Sequence, residues 1–325
     1  MKGCIEMIDS FGRIIEYMRI SVTDRCNLRC RYCMPSGVPD VGHDAIVRYE
    51  ELLRFCQVAA TLGIRKFKIT GGEPFVRKGV MAFLKELCQL PLVESVTITT
   101  NGQLLEPYIP DLAAIGIDGI NISLDTLDEE QYRRLSKGAL APVLDAIQAS
   151  LAVGIRTKIN AVLLDETKGQ ILKLAQLAEK QPLSVRFIEL MPIGWGTSMA
   201  GTSQDEALAL LKGAYSDLHI RSERLGNGPA VYYGSRDLRG SIGFIAANSH
   251  RFCASCNRMR LTSTGFLKPC LCYDQGLSLS SVLQTGTDED IARALHEAVA
   301  MKPEQHHFEV PHDVTERKRM NEIGG

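Results

Sequence analysis

From residue 15 to residue 190 the chain repeats one unit: a short apolar run, then a longer run with helical apolar spacing. The strand-like runs are residues 15–22, 67–70, 95–100, 119–124, 156–164 and 184–190. The helical runs are residues 48–62, 80–90, 104–115, 128–135, 142–153 and 168–180. Strands joined by helices pair in parallel, because each helix carries the chain back along the sheet. The expected fold class is therefore α/β, a parallel sheet with its helices outside. Such a succession either curls into a barrel or stays open, and periodicity alone does not choose.

Near residue 192 the beat breaks at Met191-Pro192-Ile193-Gly194-Trp195-Gly196. A helix around 205–211 and strand pieces at 230–233 and 242–247 follow, so two regions are expected, residues 1–200 and 201–325. The length suffices for a full core. With 37 basic and 38 acidic residues, a general polyanion surface is disfavoured and no nucleic-acid partner is expected. No charged-then-apolar leader and no apolar run of spanning length occur, so the expectation is a soluble cytoplasmic protein without a membrane partner.

The ten cysteines cluster rather than spread as a disulfide framework would. Cys26, Cys30 and Cys33 form C-x3-C-x2-C directly after the first strand. Three thiolates on one loop can share a metal centre and leave one position open; a zinc knuckle with a fourth ligand from elsewhere is the alternative. Cys253, Cys256 and Cys270 form a second triple, with structural zinc completed by Cys272 or His250 as the alternative to a second open cluster. Arg258 and Arg260 stand between these cysteines and share a side if the segment is extended, a suitable pair for an anion. Cys56 and Cys88 lie in apolar helical patterns as core thiols, and Cys4 in a terminal segment.

Gly71-Gly72-Glu73-Pro74 follows the second strand, where parallel sheets bind ligands. Thr99 and Ser123 end later strands as binding groups or as helix caps. Arg156, Lys158 and Asn160 share one face of a strand, which lines a polar site if inward and is solvated if outward.

The first cysteine triple resembles that of the radical S-adenosylmethionine (SAM) superfamily. That resemblance implies a partial (β/α)6 TIM-like barrel whose first [4Fe-4S] cluster binds SAM at its open iron and cleaves it to a 5′-deoxyadenosyl radical. Both triples, the GGEP turn, the arginines and a terminal Gly324-Gly325 together resemble the GTP 3′,8-cyclase family, from about Phe11 to the last residue. This implies conversion of GTP to a 3′,8-cyclised dihydro-GTP, the first step of molybdenum cofactor biosynthesis. It also implies a C-terminal extension in which Cys253, Cys256 and Cys270 carry a second [4Fe-4S] cluster. Tyr32, Gly72, Ser123 and Met191 fall at SAM-binding positions. Arg19, Lys68, Thr99, Lys158, Arg258, Met259 and Arg260 fall at GTP-binding positions. Lys68 replaces an expected arginine, keeping charge but losing the planar fork. The implied partners are GTP, an electron donor, a downstream cyclic pyranopterin monophosphate synthase and a second copy of the chain. A peptide-modifying radical SAM enzyme with an accessory cluster domain is the alternative within the superfamily. A non-catalytic zinc protein is the alternative outside it.

Overall fold

Strand side chains alternate between two faces, and in the computed structural model, which describes residues 6–37, 42–223 and 225–324, most strands are buried on both. Cys4 and Gly325 lie outside these residues. The first six strands are β1 (Tyr17–Ser21), β2 (Lys66–Thr70), β3 (Ser95–Thr100), β4 (Gly119–Ser123), β5 (Thr157–Leu163) and β6 (Ser184–Glu189). They lie side by side in chain order and parallel. Met18, Phe67, Ile98, Ile120, Ile159 and Phe187 point to one face and join the main hydrophobic core. Each fully buried apolar side chain of this size contributes about 1.5–3 kcal/mol.

The helices over that face are α1 (Tyr49–Thr61), α2 (Val80–Gln89), α3 (Ile109–Ala114), α4 (Glu129–Ser136), α5 (Ala141–Ala152) and α6 (Ile171–Lys180). Two are shorter than their patterns suggest. A 3₁₀ turn, Glu106–Tyr108, precedes α3, because Pro107 and Pro110 offer no N–H and fit only near a helix start. Another, Asp165–Gln170, precedes α6.

Beyond β6 come α7 (Gln204–Ala214), β7 (His219–Ile220), β8 (Val231–Gly234), β9 (Ser241–Ile245), β10 (Arg258–Leu261), β11 (Phe266–Lys268) and β12 (Leu277–Ser278). The short α8 (Ser280–Thr285) and α9 (Asp288–Ala300) follow. These later strands extend the existing sheet at both ends. β9 pairs parallel with β6, and β10 pairs parallel with β1, Arg260 beside Arg19. The described residues thus form a twelve-stranded sheet in the order β12-β11-β10-β1-β2-β3-β4-β5-β6-β9-β8-β7. Inward residues of β1, β3, β4, β5, β6 and β10 line one cavity, so the parallel part is curled into a partial barrel. Among the described residues no helix is long and apolar enough to cross a membrane.

Candidate active site

The loop after β1 carries the first thiols. Arg29 Nη1 donates to the carbonyls of Cys26 and Leu28, each at 2.8 Å, and so draws the loop into a ring. The GGEP turn lies against it: Gly72 N–H donates to Thr23 O at 2.6 Å and Glu73 N–H to Arg25 O at 2.8 Å. A Cβ on Gly72 would stand 2.2 Å from Arg25 O, so only glycine allows this approach. Hydrogen bonds already aim at one sulfur. Leu28 N–H reaches Cys26 Sγ at 3.4 Å, and Asn101 Nδ2 reaches it at 3.6 Å. Burial, then the neighbouring thiols, pushes Cys30 well up, and Cys33 rises to about 12 for the same reasons. Such thiols become ligands when a cation replaces the lost solvation.

The second triple sits across the same cavity. Cys253 opens a 3₁₀ turn, Cys253–Ser255, and accepts the His306 N–H on its sulfur at 3.4 Å. Burial opposes the Cys256 thiolate, yet Arg258 and Lys302 bring its thiol down to about 7. Lys302 Nζ holds the carbonyls of Arg258 (2.9 Å) and Pro269 (2.7 Å), flanking Cys256 and Cys270. Each triple offers three thiols to the one cavity, the number an open [4Fe-4S] cluster takes from protein, whereas a structural zinc takes four ligands. The donor chemistry fits clusters. His250 is half-exposed and bonded to Asp205 at 3.2 Å, outside this group. Cys272 is fully buried with Ile193, Ala247 and Phe308, and burial lifts its thiol to about 11.

Between the triples the cavity is lined by Tyr32, Gly72, Ser123 and Met191, and by Arg19, Thr99, Arg258 and Arg260. Three expected residues are absent from that lining. Met259 alternates onto the helix face and its side chain is fully buried in the main core. Lys68 and Lys158 lie deeper. Burial, then Arg186, Arg19, Lys158 and Arg258, holds Lys68 well below the usual lysine range. Lys158 drops to about 7 through burial, then Arg186 and Arg156. Its Nζ donates to Leu225 O and to Tyr232 Oη at 3.0 Å. The charges that act on Lys68 are all positive, the signature of a site for a polyanion.

Arg186 belongs to this group and was not among the expected residues. Its Nε donates to Asn160 Oδ1 at 2.9 Å and its Nη2 to Asn121 Oδ1 at 2.6 Å. Alternation along residues 184–190 was the available signal. Asp125, just past β4, accepts from Tyr32 Oη at 2.9 Å and from Val162 N–H at 2.8 Å. The C-terminal tail enters the cavity mouth. Asn321 Nδ2 donates to Asp24 O at 3.1 Å and Arg260 Nη1 to Gly324 O at 2.7 Å.

Residues 20–178 match the Radical SAM superfamily, and residues 183–308 match Molybdenum Cofactor Synthesis C. The chain is 40% identical over 323 residues to the GTP 3′,8-cyclase of Clostridium perfringens (strain SM101 / Type A), covering 98% of this chain and all of that one. It is 42% identical over 330 residues to the enzyme of the same name from Moorella thermoacetica, with the same coverage. Among solved structures, Streptococcus suis SuiB bound to precursor peptide SuiA superposes with a TM-score of 0.66 at 16% identity. The match covers 95% of this chain and 76% of that one, a likeness of fold.

Proposed function

The chain belongs to the GTP 3′,8-cyclase family of radical SAM enzymes, and from that premise we propose how its own residues divide the work. It converts GTP to (8S)-3′,8-cyclo-7,8-dihydroguanosine 5′-triphosphate, the first step of molybdenum cofactor biosynthesis, using SAM and two [4Fe-4S] clusters. The observation that carries this reading is one cavity holding both cysteine triples, with Arg258 and Arg260 beside the second.

Cys26, Cys30 and Cys33 would hold the first cluster, and Cys253, Cys256 and Cys270 the second. When bound, the first cluster and SAM supply the 5′-deoxyadenosyl radical that takes the hydrogen from C3′ of GTP. Gly72 lets the GGEP turn close on the main chain of the cysteine loop, while Tyr32, braced by Asp125, and Ser123 and Met191 orient SAM. Arg19, Lys68, Lys158 and Arg186 hold the triphosphate at the cavity floor, where the charges acting on Lys68 are those of arginines and a lysine. Thr99, Arg258 and Arg260 fix the nucleoside against the second cluster, and the main chain of Met259 carries both arginines inward. Fixing C3′ near SAM and C8 near C3′ is the protein's contribution to the rate.

Residues 1–200 carry the SAM chemistry and residues 201–325 the second-cluster and GTP region. That is a division of labour within one sheet. The reading also includes a cytoplasmic location, an external electron donor, hand-over to a cyclic pyranopterin monophosphate synthase, and a homodimer. The deciding experiment is anaerobic reconstitution, then iron and sulfide assay and incubation with SAM, a reductant and GTP. About eight irons per chain and one 5′-deoxyadenosine per cyclised GTP are expected. A colourless, zinc-loaded protein, or no cyclised GTP from fully loaded protein, would overturn it.

A further inference from the structure

Arg13 stands in the turn before β1, almost wholly buried. Its Nε donates to Asp9 Oδ2 at 2.5 Å. Asp9 Oδ1 in turn accepts the N–H groups of Phe11 at 2.9 Å and of Arg13 itself at 3.0 Å, which fixes the origin of the guanidinium. The rest of the fork faces the far end of the chain. Nη1 donates to Cys253 O at 2.9 Å and to Glu304 O at 2.8 Å, and Nη2 to Pro303 O at 2.6 Å. Two residues past Glu304, the His306 N–H donates to Cys253 Sγ. One guanidinium therefore ties the main chain of a thiol to the segment that hydrogen-bonds its sulfur. Three carbonyl oxygens gathered at one point repel unless a multiple donor lies among them. A planar fork supplies several donors at fixed angles, which an ammonium does not.

We propose that Arg13 is a positioning residue for the second iron–sulfur cluster, holding the Cys253 loop and the 303–306 segment in ligand geometry, with Asp9 as its orienting carboxylate. This rests on the reading of Cys253, Cys256 and Cys270 as cluster ligands. Outer hydrogen-bonding groups of this kind typically change metal affinity 10–100-fold, and N–H···S bonds set cluster potential.

The test uses the full chain, reconstituted anaerobically, as parent, Arg13→Met, Arg13→Lys, Asp9→Asn and Cys253→Ser. Iron and sulfide per chain, electron paramagnetic resonance of the reduced protein with and without SAM, and thermal midpoint are measured. Arg13→Met is expected to fall from about eight irons to about four, while the SAM-dependent change in the first cluster's signal persists. Asp9→Asn should lie between parent and Arg13→Met. Arg13→Lys should keep more iron than Arg13→Met but with an altered second-cluster signal. Cys253→Ser separates the two readings. If it leaves iron unchanged, the ligand assignment itself fails. If it removes the second cluster while Arg13→Met retains it with the parent line shape, the role of Arg13 is refuted. Loss of both clusters together with a lowered midpoint in Arg13→Met refutes it as well, assigning the residue to the fold as a whole.

Discussion

Glu316→Gln tests how the tail is held. Lys268 on β11 and Glu316 form an ion pair with side chains 1% and 2% exposed. Lys268 Nζ donates to Glu316 Oε2 and to Tyr273 O at 2.6 Å, while Glu316 Oε1 accepts the Lys318 N–H at 2.7 Å. Glu316 N–H reaches Cys272 O at 3.2 Å. Lys268 is also the cross-strand partner of Arg260, which holds Gly324. Neutralising the carboxylate leaves an ammonium out of water with only part of its hydrogen bonding. Breaking such a pair costs about 3–5 kcal/mol, whereas replacing both partners by apolar groups of similar volume is close to neutral. The loss is expected first as local opening of the segment that Glu316 anchors. Limited proteolysis between residues 310 and 324 should accelerate by about two orders of magnitude or more in Glu316→Gln and in Lys268→Met. Lys268→Met/Glu316→Leu should recover most protection, and cyclase turnover should follow tail protection across the series. Parent-like protection in Glu316→Gln, or a double variant as labile as the singles, would refute the reasoning.

Cys30→Ser should abolish 5′-deoxyadenosine formation while about four irons remain on the second triple, as measured by product analysis and iron assay. Arg258→Ala and Arg260→Ala should each weaken GTP binding by about 1.5–3 kcal/mol in calorimetry and leave SAM binding near parent. Equal loss of both ligands would indicate damage to the fold. Deleting Gly324 and Gly325 should keep iron content and lower turnover strongly; a truncated protein with full activity would make the tail dispensable. Burial lifts the Glu73 carboxyl from 4.5 to about 7 despite hydrogen bonds from Asn101, Thr100 and Phe75. The folded state then binds this proton more tightly than the unfolded chain, so the contribution of Glu73 to stability is full below pH 4.5 and is lost as pH rises towards 7. Urea titrations should show a shallower loss of stability between pH 4.5 and 7 in Glu73→Gln than in the parent; an unchanged slope would refute the assignment.

The six strands and the outer helices were legible because period 2 and period 3.6 are local properties. What lay beyond reach was pairing at a distance. Nothing near residue 258 says that β10 joins β1, or near residue 241 that β9 joins β6. Alternation groups Lys158 with Asn160, but which face they take depends on curvature the sequence does not state. Between Arg258 and Arg260 in an extended run, the Met259 side chain must point the other way. Arg186 was available by the same logic. α9 also carries a local signal, the Thr287–Asp290 capping box at its start. The Lys268–Glu316 and Arg13–Cys253 contacts join residues 48 and 240 apart, where no periodicity reaches.

The placement of β10 and β9 on the outer sides of β1 and β6 has a consequence for synthesis on the ribosome. A nascent chain that has completed β6 exposes two unpaired strand edges, β1 and β6, and one stays open until residue 261 has emerged. Such edges are templates for pairing with another chain. At roughly 5–20 residues per second, the interval between Glu189 and Leu261 lasts about 4–14 seconds, long against the time needed to form a strand pair. The first half of the chain, expressed alone, should therefore collect in aggregates. Slowing translation between the codons for β6 and β10 should lower the yield of soluble protein.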